Sequence, residues 1–248
     1  MSSERATSFG AAASSYETGR PEYPADAVAW MLAELPAGSR RIADVGAGTG
    51  KLTRALRAVL DDAEVVAIDP DAAMLAVLQD VAPGIPTFLG TAESLPLPDA
   101  SVDAVVLGQA WHWVEPEAAS REIGRVVRPG GTLGLIWNVR DERVDWVRRL
   151  TGIMHGSPAE EMIAGDGPTV AAPFAAPESR TWEWRRPITR PRLHDMAGSR
   201  SYVITASDAE KQRIRRDMDA LFDDLGLRDG QTIELPYLTK AFRARRAG

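Results

Sequence analysis

The chain has 248 residues, 44% hydrophobic and 26% charged, enough to bury a sizeable core, and its net charge of −6 leaves no basic excess for a general nucleic-acid binder. The absence of cysteine excludes disulfides, zinc–thiolate sites and thiolate nucleophiles. No stretch approaches the roughly 20 apolar residues of a membrane span, and Met1–Gly10 lacks the apolar core of a signal peptide, so a cytoplasmic protein without a membrane partner is expected.

In chain order, Tyr16–Pro24 comes first, where two prolines and a glycine forbid a regular helix. It reads either as a surface arm or as a flap carrying Tyr16, Arg20 and Tyr23 over a ligand. Asp26 is a good N-cap for the apolar stretch Ala27–Leu35. A strand is expected over Arg41–Val45, a helix over Thr49–Leu60, a strand over Glu64–Asp69, a helix over Asp71–Asp80 and a short strand over Thr87–Leu89. The nearly continuous apolar run Val102–Gly108 suits a strand covered on both faces. The helix Pro116–Val127 should stop at Arg128-Pro129-Gly130-Gly131, before a strand over Thr132–Asn138. Beyond Asn138 the pattern weakens: helices over Val144–Met154, Leu193–Ser199 and Ser207–Leu225, an alternating strand over Thr181–Arg186, and a last strand over Thr232–Phe242 that Pro236 marks as an edge or a bulge. Strands alternating with helices from Asp26 to Asn138 imply a mostly parallel sheet with right-handed crossovers.

Asp44-Val45-Gly46-Ala47-Gly48-Thr49-Gly50 joins the first strand to its helix. Such a turn is where an open α/β sheet holds a nucleotide-like ligand. A Walker loop would need glycine at 45 and Ser or Thr at 52, where Val45 and Leu52 stand. A dinucleotide turn would need a third glycine at 51, which is lysine. Asp69, ending the second strand, can accept both ribose hydroxyls of an adenosine. Asp44 suits either the turn amides or an ammonium. Gln109, Trp111, His112 and Trp113 follow one strand, and Asn138 and Arg140 end another, at the edge where such sheets bind ligands. His112 is the candidate base; the tryptophans are candidate cation-facing walls or simple packing. His155 and His194 are isolated, so no metal site is expected.

Asp44–Gly50 resembles the first motif of class I S-adenosylmethionine-dependent methyltransferases. Ile68-Asp69-Pro70 resembles their ribose-binding motif, with Met74 at the position that packs on adenine, and Gly90–Pro96 resembles the segment whose Thr91, Ala92 and Glu93 would border the adenine. Tyr16, Arg20-Pro21-Glu22-Tyr23-Pro24 and Ala110–Trp113 are similar to a narrower group, the small-molecule enzymes akin to trans-aconitate methyltransferase. The resemblance implies a Rossmann-like three-layer α/β/α fold. Its sheet would be seven-stranded and mostly parallel, with an antiparallel last strand and a small helical lid. It divides the chain into a flap (1–25), a cofactor-binding core (26–140), lid insertions with the sixth strand (141–230) and the last strand (231–248). It implies S-adenosyl-L-methionine as cofactor and S-adenosyl-L-homocysteine as product. Tyr16, Arg20, Asp44, Gly46, Ala47, Gly48, Gly50, Asp69, Pro70, Met74, Thr91, Ala92, Glu93 and Gln109 would lie on the cofactor side. Tyr23, Trp111, Trp113 and Asn138 would face the substrate, and the substrate is expected to be a small molecule, with a carboxylate as one class. The enzyme would be a monomer or homodimer. The competing readings are a non-catalytic cofactor-binding module and a nicotinamide-dependent oxidoreductase.

Overall fold

The computed structural model describes residues 20–36, 38, 41–198, 200, 203 and 206–247. Among them the elements run α1 (Ala25–Leu32), β1 (Arg41–Val45), α2 (Lys51–Val59), β2 (Glu64–Asp69), α3 (Ala72–Val81), β3 (Thr87–Leu89) and β4 (Val102–Gly108). A 3₁₀ turn (Trp111–Trp113) leads to α4 (Pro116–Val126) and β5 (Val127–Arg140). Then come α5 (Asp145–Met154), α6 (Pro158–Ala164), β6 (Glu178–Thr189), α7 (Arg190–Gly198), α8 (Asp208–Asp224) and β7 (Thr232–Arg245). The strands form one seven-stranded sheet in the order β3-β2-β1-β4-β5-β7-β6. β1 to β5 are parallel, and β7 runs antiparallel to both β5 and β6. Parallel neighbours need crossovers, and α2, α3 and α4 supply them. The expected Rossmann-like three-layer class is the observed one.

Period-two alternation sorts each strand between two cores. Ile42, Val65, Ala104, Val106 and Ile136 pack with Leu52 and Leu56 of α2 and Met31 of α1 on one face. Ala43, Ile68, Val105, Leu133 and Leu135 pack with Ile123 of α4 on the other. Farther along the first face, α5, α7 and α8 close over Ile188 of β6 and Leu235 and Tyr237 of β7. This helical layer covers the end of the sheet at which β5 terminates.

Three expectations need correction. β7 is not an edge strand: it lies between β5 and β6. Pro236 is tolerated there because its carbonyl accepts from the Asp141 amide at 3.0 Å. Its missing N–H therefore faces the end of β5 and leaves the β6 ladder intact. Arg128–Gly131 does not separate helix from strand. β5 begins at Val127, opposite Val102, and the proline-glycine segment bulges before pairing resumes at Ala104 and Thr132. A Cβ at Gly131 would lie 2.4 Å from the Asp103 carbonyl oxygen, so the close approach needs glycine. Asp26 sits in the first turn of α1 rather than capping it; Pro24 holds the cap position.

Candidate active site

The glycine turn leaves β1 at Val45. The amides of Gly46 and Ala47 both donate to the Ile68 carbonyl, at 2.8 and 3.1 Å, which ties the turn to β2. Gly46 and Gly48 both take positive φ, 67° and 54°, but for different ends. A Cβ on Gly46 would stand 2.7 Å from the Ala110 Cβ, whereas one on Gly48 would meet nothing within 4 Å. Gly46 thus lets two strand ends touch, and Gly48 curves the backbone beneath open space. Gly50 is the N-cap of α2.

Asp69 braces this turn from β2. Its Oδ2 accepts from the Gly48 amide at 2.8 Å and its Oδ1 from the Asp71 amide at 2.9 Å. Burial pushes its pKa up against the pull of these two bonds. Each oxygen keeps a second lone pair for a ligand hydroxyl. Asp44, on β1, is fully buried; Thr53 of α2 donates to its Oδ2 at 2.6 Å. Its Oδ1 is buried without a hydrogen-bond partner among the described residues. Burial foremost, with the nearby Asp69 charge added, raises the Asp44 pKa to about 7 despite the Thr53 bond.

A shallow cleft opens above the turn, walled by Arg20, Tyr23, Gly46, Ala47, Gly48 and Gln109 among others. Gln109 follows β4 in left-handed backbone, φ 56°. Its side-chain Nε2 donates to the Asn138 carbonyl at 2.8 Å. Asn138, ending β5, is a clamp: its Nδ2 donates to the Glu22 carbonyl at 3.1 Å and its Oδ1 accepts from the Thr239 hydroxyl at 2.6 Å. Glu22 in turn pairs with Lys51 and Arg54 of α2. Residues 20–24 are thereby fastened across the cleft to β5 and α2. The Tyr23 hydroxyl lies where a Cβ at Gly108 would be, 2.7 Å away, so this glycine admits the ring.

The remaining candidates are placed as follows. Tyr16 lies outside the described residues. Pro70, Met74, Thr91, Ala92 and Glu93 do not wall the cleft. The Asp69 carbonyl accepts from the Gly90 amide at 3.3 Å, which ties the start of the 90–93 segment to the end of β2. Met74 and Ala92 are buried, Thr91 is exposed, and Glu93 accepts from the Glu115 amide at 2.9 Å. Trp111, expected to face the substrate, is instead a core side chain 2% exposed, packed with α4 and donating its indole N–H to the Thr169 carbonyl at 3.0 Å. The 3₁₀ turn rotates it inward, while His112 and Trp113 stay half-buried with their rings 4.7 Å apart. Burial, helped by the positive charge of Arg20, lowers the His112 pKa to about 4, so the ring is neutral at pH 7. Its Nδ1 is buried without a hydrogen-bond partner among the described residues.

Sequence reading missed a buried charge cluster at the end of β5. Arg140 is 5% exposed, donates to the Thr151 hydroxyl of α5 and pairs with Glu160 of α6 at 2.8 Å. Arg200, equally buried, pairs with the same Glu160 oxygen at 2.8 Å. Desolvation, then the Arg200 charge, lowers the Arg140 pKa to about 10. Burial works to raise Glu160, but the two guanidinium groups outweigh it and hold it near 2. The advance signals were Arg140 at a strand end and the resemblance of the segment holding Arg200 to the lid of the trans-aconitate group; Glu160 carries no local motif.

Residues 43–135 match the family described as Methyltransferase domain. The chain is 44% identical over 240 residues to an uncharacterised methyltransferase of Mycobacterium bovis, across 96% of this chain and 95% of the relative. It is 32% identical over 239 residues to an uncharacterised methyltransferase-like protein of Schizosaccharomyces pombe, covering 92% and 91%. Among solved structures, a proposed Type II methyltransferase from Anaeromyxobacter dehalogenans superposes with a TM-score of 0.64 at 24% identity, over 92% of this chain and 97% of that one. The Haemonchus contortus phosphoethanolamine N-methyltransferase 2 complex with S-adenosylhomocysteine gives 0.54 at 14%, over 99% and 59%. The chain belongs to the methyltransferase family.

Proposed function

We propose that the protein moves a methyl group from S-adenosylmethionine to a small-molecule acceptor carrying a carboxylate, by in-line displacement without a metal. The observation that carries the cofactor is the pairing of an open-topped glycine turn with two buried carboxylates, one of which holds an orphaned oxygen. The residues fit that cofactor. Asp44 Oδ1 offers an acceptor to an ammonium, the spare lone pairs of Asp69 suit a ribose diol, and the Gly46–Gly50 backbone permits close approach. Arg20, on the cleft wall, suits the amino-acid carboxylate. Pro70, Met74, Thr91, Ala92 and Glu93 would border the base, and Gln109 would fix the floor.

When bound, the cofactor supplies a methyl group already activated on a sulfonium. The protein's task is then to orient the acceptor and exclude water. Residues 20–24, clamped by Asn138 and by Lys51 and Arg54, form the cover. His112, with a pKa near 4, is too weak a base to draw a proton from an alcohol or amine. A carboxylate acceptor arrives ionised and needs no base, which supports that acceptor class; neutral His112 then serves as a hydrogen-bonding wall beside Trp113.

Calorimetric titration with S-adenosylmethionine, S-adenosylhomocysteine and NAD tests the reading. The first two should bind and NAD should not, and Asp69→Ala should weaken the first two strongly. Binding of NAD alone would return the turn to the oxidoreductases.

A further inference from the structure

The sheet face beside the cleft encloses more positive charge than it neutralises. Asn138 and Arg140 share one face of β5. Tyr237 of β7 pairs with Arg140, and Trp184 of β6 pairs with Tyr237. Arg186, two residues along β6 from Trp184, falls on the same face. Arg140 and Arg200 are buried and share one carboxylate, Glu160. The Arg186 Nη1 is buried with no hydrogen-bond partner among the described residues. Arg140, Arg186 and Arg200 all act electrostatically on the Tyr237 hydroxyl, as does Arg20 from the cleft wall. Among the described residues that hydroxyl donates to the Met196 sulfur at 3.4 Å, a weak acceptor. Above lie α5, α7 and α8, which shield the group from water.

Buried guanidinium groups in excess of their carboxylates are costly, and a planar donor with an unused edge is shaped for an oxyanion. The cluster runs from Arg140 on β5, the strand beside β4 and its cleft, across β7 to Arg186 on β6, on the same face as Asp44 and Gly108. This is the position an acceptor would occupy next to a cofactor lying on the glycine turn.

We propose that Arg140, Arg186 and Arg200, with the Tyr237 hydroxyl, form a subsite that binds an oxyanion of the methyl acceptor, a carboxylate or a phosphate. Glu160 balances part of the charge and keeps the two buried arginines in place when the subsite is empty. The inference rests on the methyltransferase reading for the identity of the ligand as acceptor, but the anion binding itself is measured without turnover.

The full chain is titrated calorimetrically with citrate, with inorganic phosphate and, at matched ionic strength, with chloride. S-adenosylhomocysteine is titrated separately. Citrate or phosphate should bind and chloride should not; the stronger of the two identifies the oxyanion. Arg186→Met should weaken that binding by at least about tenfold, with S-adenosylhomocysteine affinity and far-ultraviolet dichroism as in the parent. Arg186→Lys, which keeps the charge but loses the fork, should fall between them. No binding of either oxyanion by the parent, or parent affinity retained by Arg186→Met, would overturn the subsite. Failure of S-adenosylhomocysteine to bind the parent would instead overturn the cofactor reading and leave the anion result standing.

Discussion

Replacing Asp44 by asparagine should make the protein more stable at pH 8 and a poorer cofactor binder. The buried Asp44 carboxyl titrates near 7 in the fold against an ordinary value of 3.8. Because the folded value lies above the unfolded one, the stability it contributes is fully present below about pH 4 and is lost as pH rises through about 7. The gap amounts to up to about 4 kcal/mol forgone by pH 8. Asparagine keeps the acceptor for the Thr53 hydroxyl but sets an NH₂ where Oδ1 has no partner, at a cost of about 1–3 kcal/mol. The net gain at pH 8 is about 1–3 kcal/mol, or roughly 2–10 °C in Tm for a chain of this size. At pH 5.5 the unfolded carboxyl is already ionised while the folded one is protonated, so only about 2 kcal/mol of that penalty has developed and the gain should shrink to near zero. Paired thermal scans at the two pH values, with S-adenosylhomocysteine titrations at pH 8, form the assay. A Tm difference of the same sign and size at both pH values would refute the linkage. Unchanged affinity would remove Asp44 from the ligand's ammonium.

Other outcomes follow from the same geometry. His112 has a folded pKa below its ordinary 6.5, so its neutral-state contribution to stability is present above pH 6.5 and lost as pH falls toward about 4; its ring proton resonances should stay unshifted from pH 8 to pH 6, and a midpoint inside that window would contradict the burial argument. Gly46→Ala should destabilise more than Gly48→Ala, because the first drives a methyl against Ala110 while the second carries only the positive-φ strain of about 1–2 kcal/mol; equal Tm losses would say that the Ala110 contact relaxes freely. Asn138→Ala should release residues 20–24 and leave the buried Thr239 hydroxyl without its acceptor, costing about 1–3 kcal/mol. Amide exchange at Glu22 and Tyr23 should then quicken, and unaltered protection there would deny Asn138 its clamping role.

The central strands Arg41–Val45, Glu64–Asp69 and Val102–Gly108 were readable because burial on both faces writes itself as short apolar runs, and the exposed edge strand Thr87–Leu89 also has the expected bounds, set between Pro86 and Gly90. The glycine turn was readable because positive φ narrows the choice of residue. Pro236 misled because a proline argues against a central strand only when its missing donor faces a partner, and that depends on pairing phase. Trp111 misled because position after a strand does not tell which way a 3₁₀ turn rotates a side chain. The Arg140–Glu160–Arg200 group was legible only in parts, and its charge pairing was hidden. Its members are far apart in sequence, and each alone reads as a solvated charge; only the helical layer folding over β5 brings them together.

The interior place of β7 bears on how the chain folds as it is made. β1 to β5 can pair as they emerge, but β6 has no neighbour in the sheet other than β7, the last strand in chain order. Until residues 232–245 leave the ribosome, β6 has no ladder, β5 presents a bare edge open to foreign strands, and Asn138 lacks the Thr239 hydroxyl. The nascent enzyme is thus held in an unfinished, association-prone form until residues 232–245 have been made. A chain lacking this one strand would present the open edge of β5 as an aggregation site rather than act as a weakened catalyst.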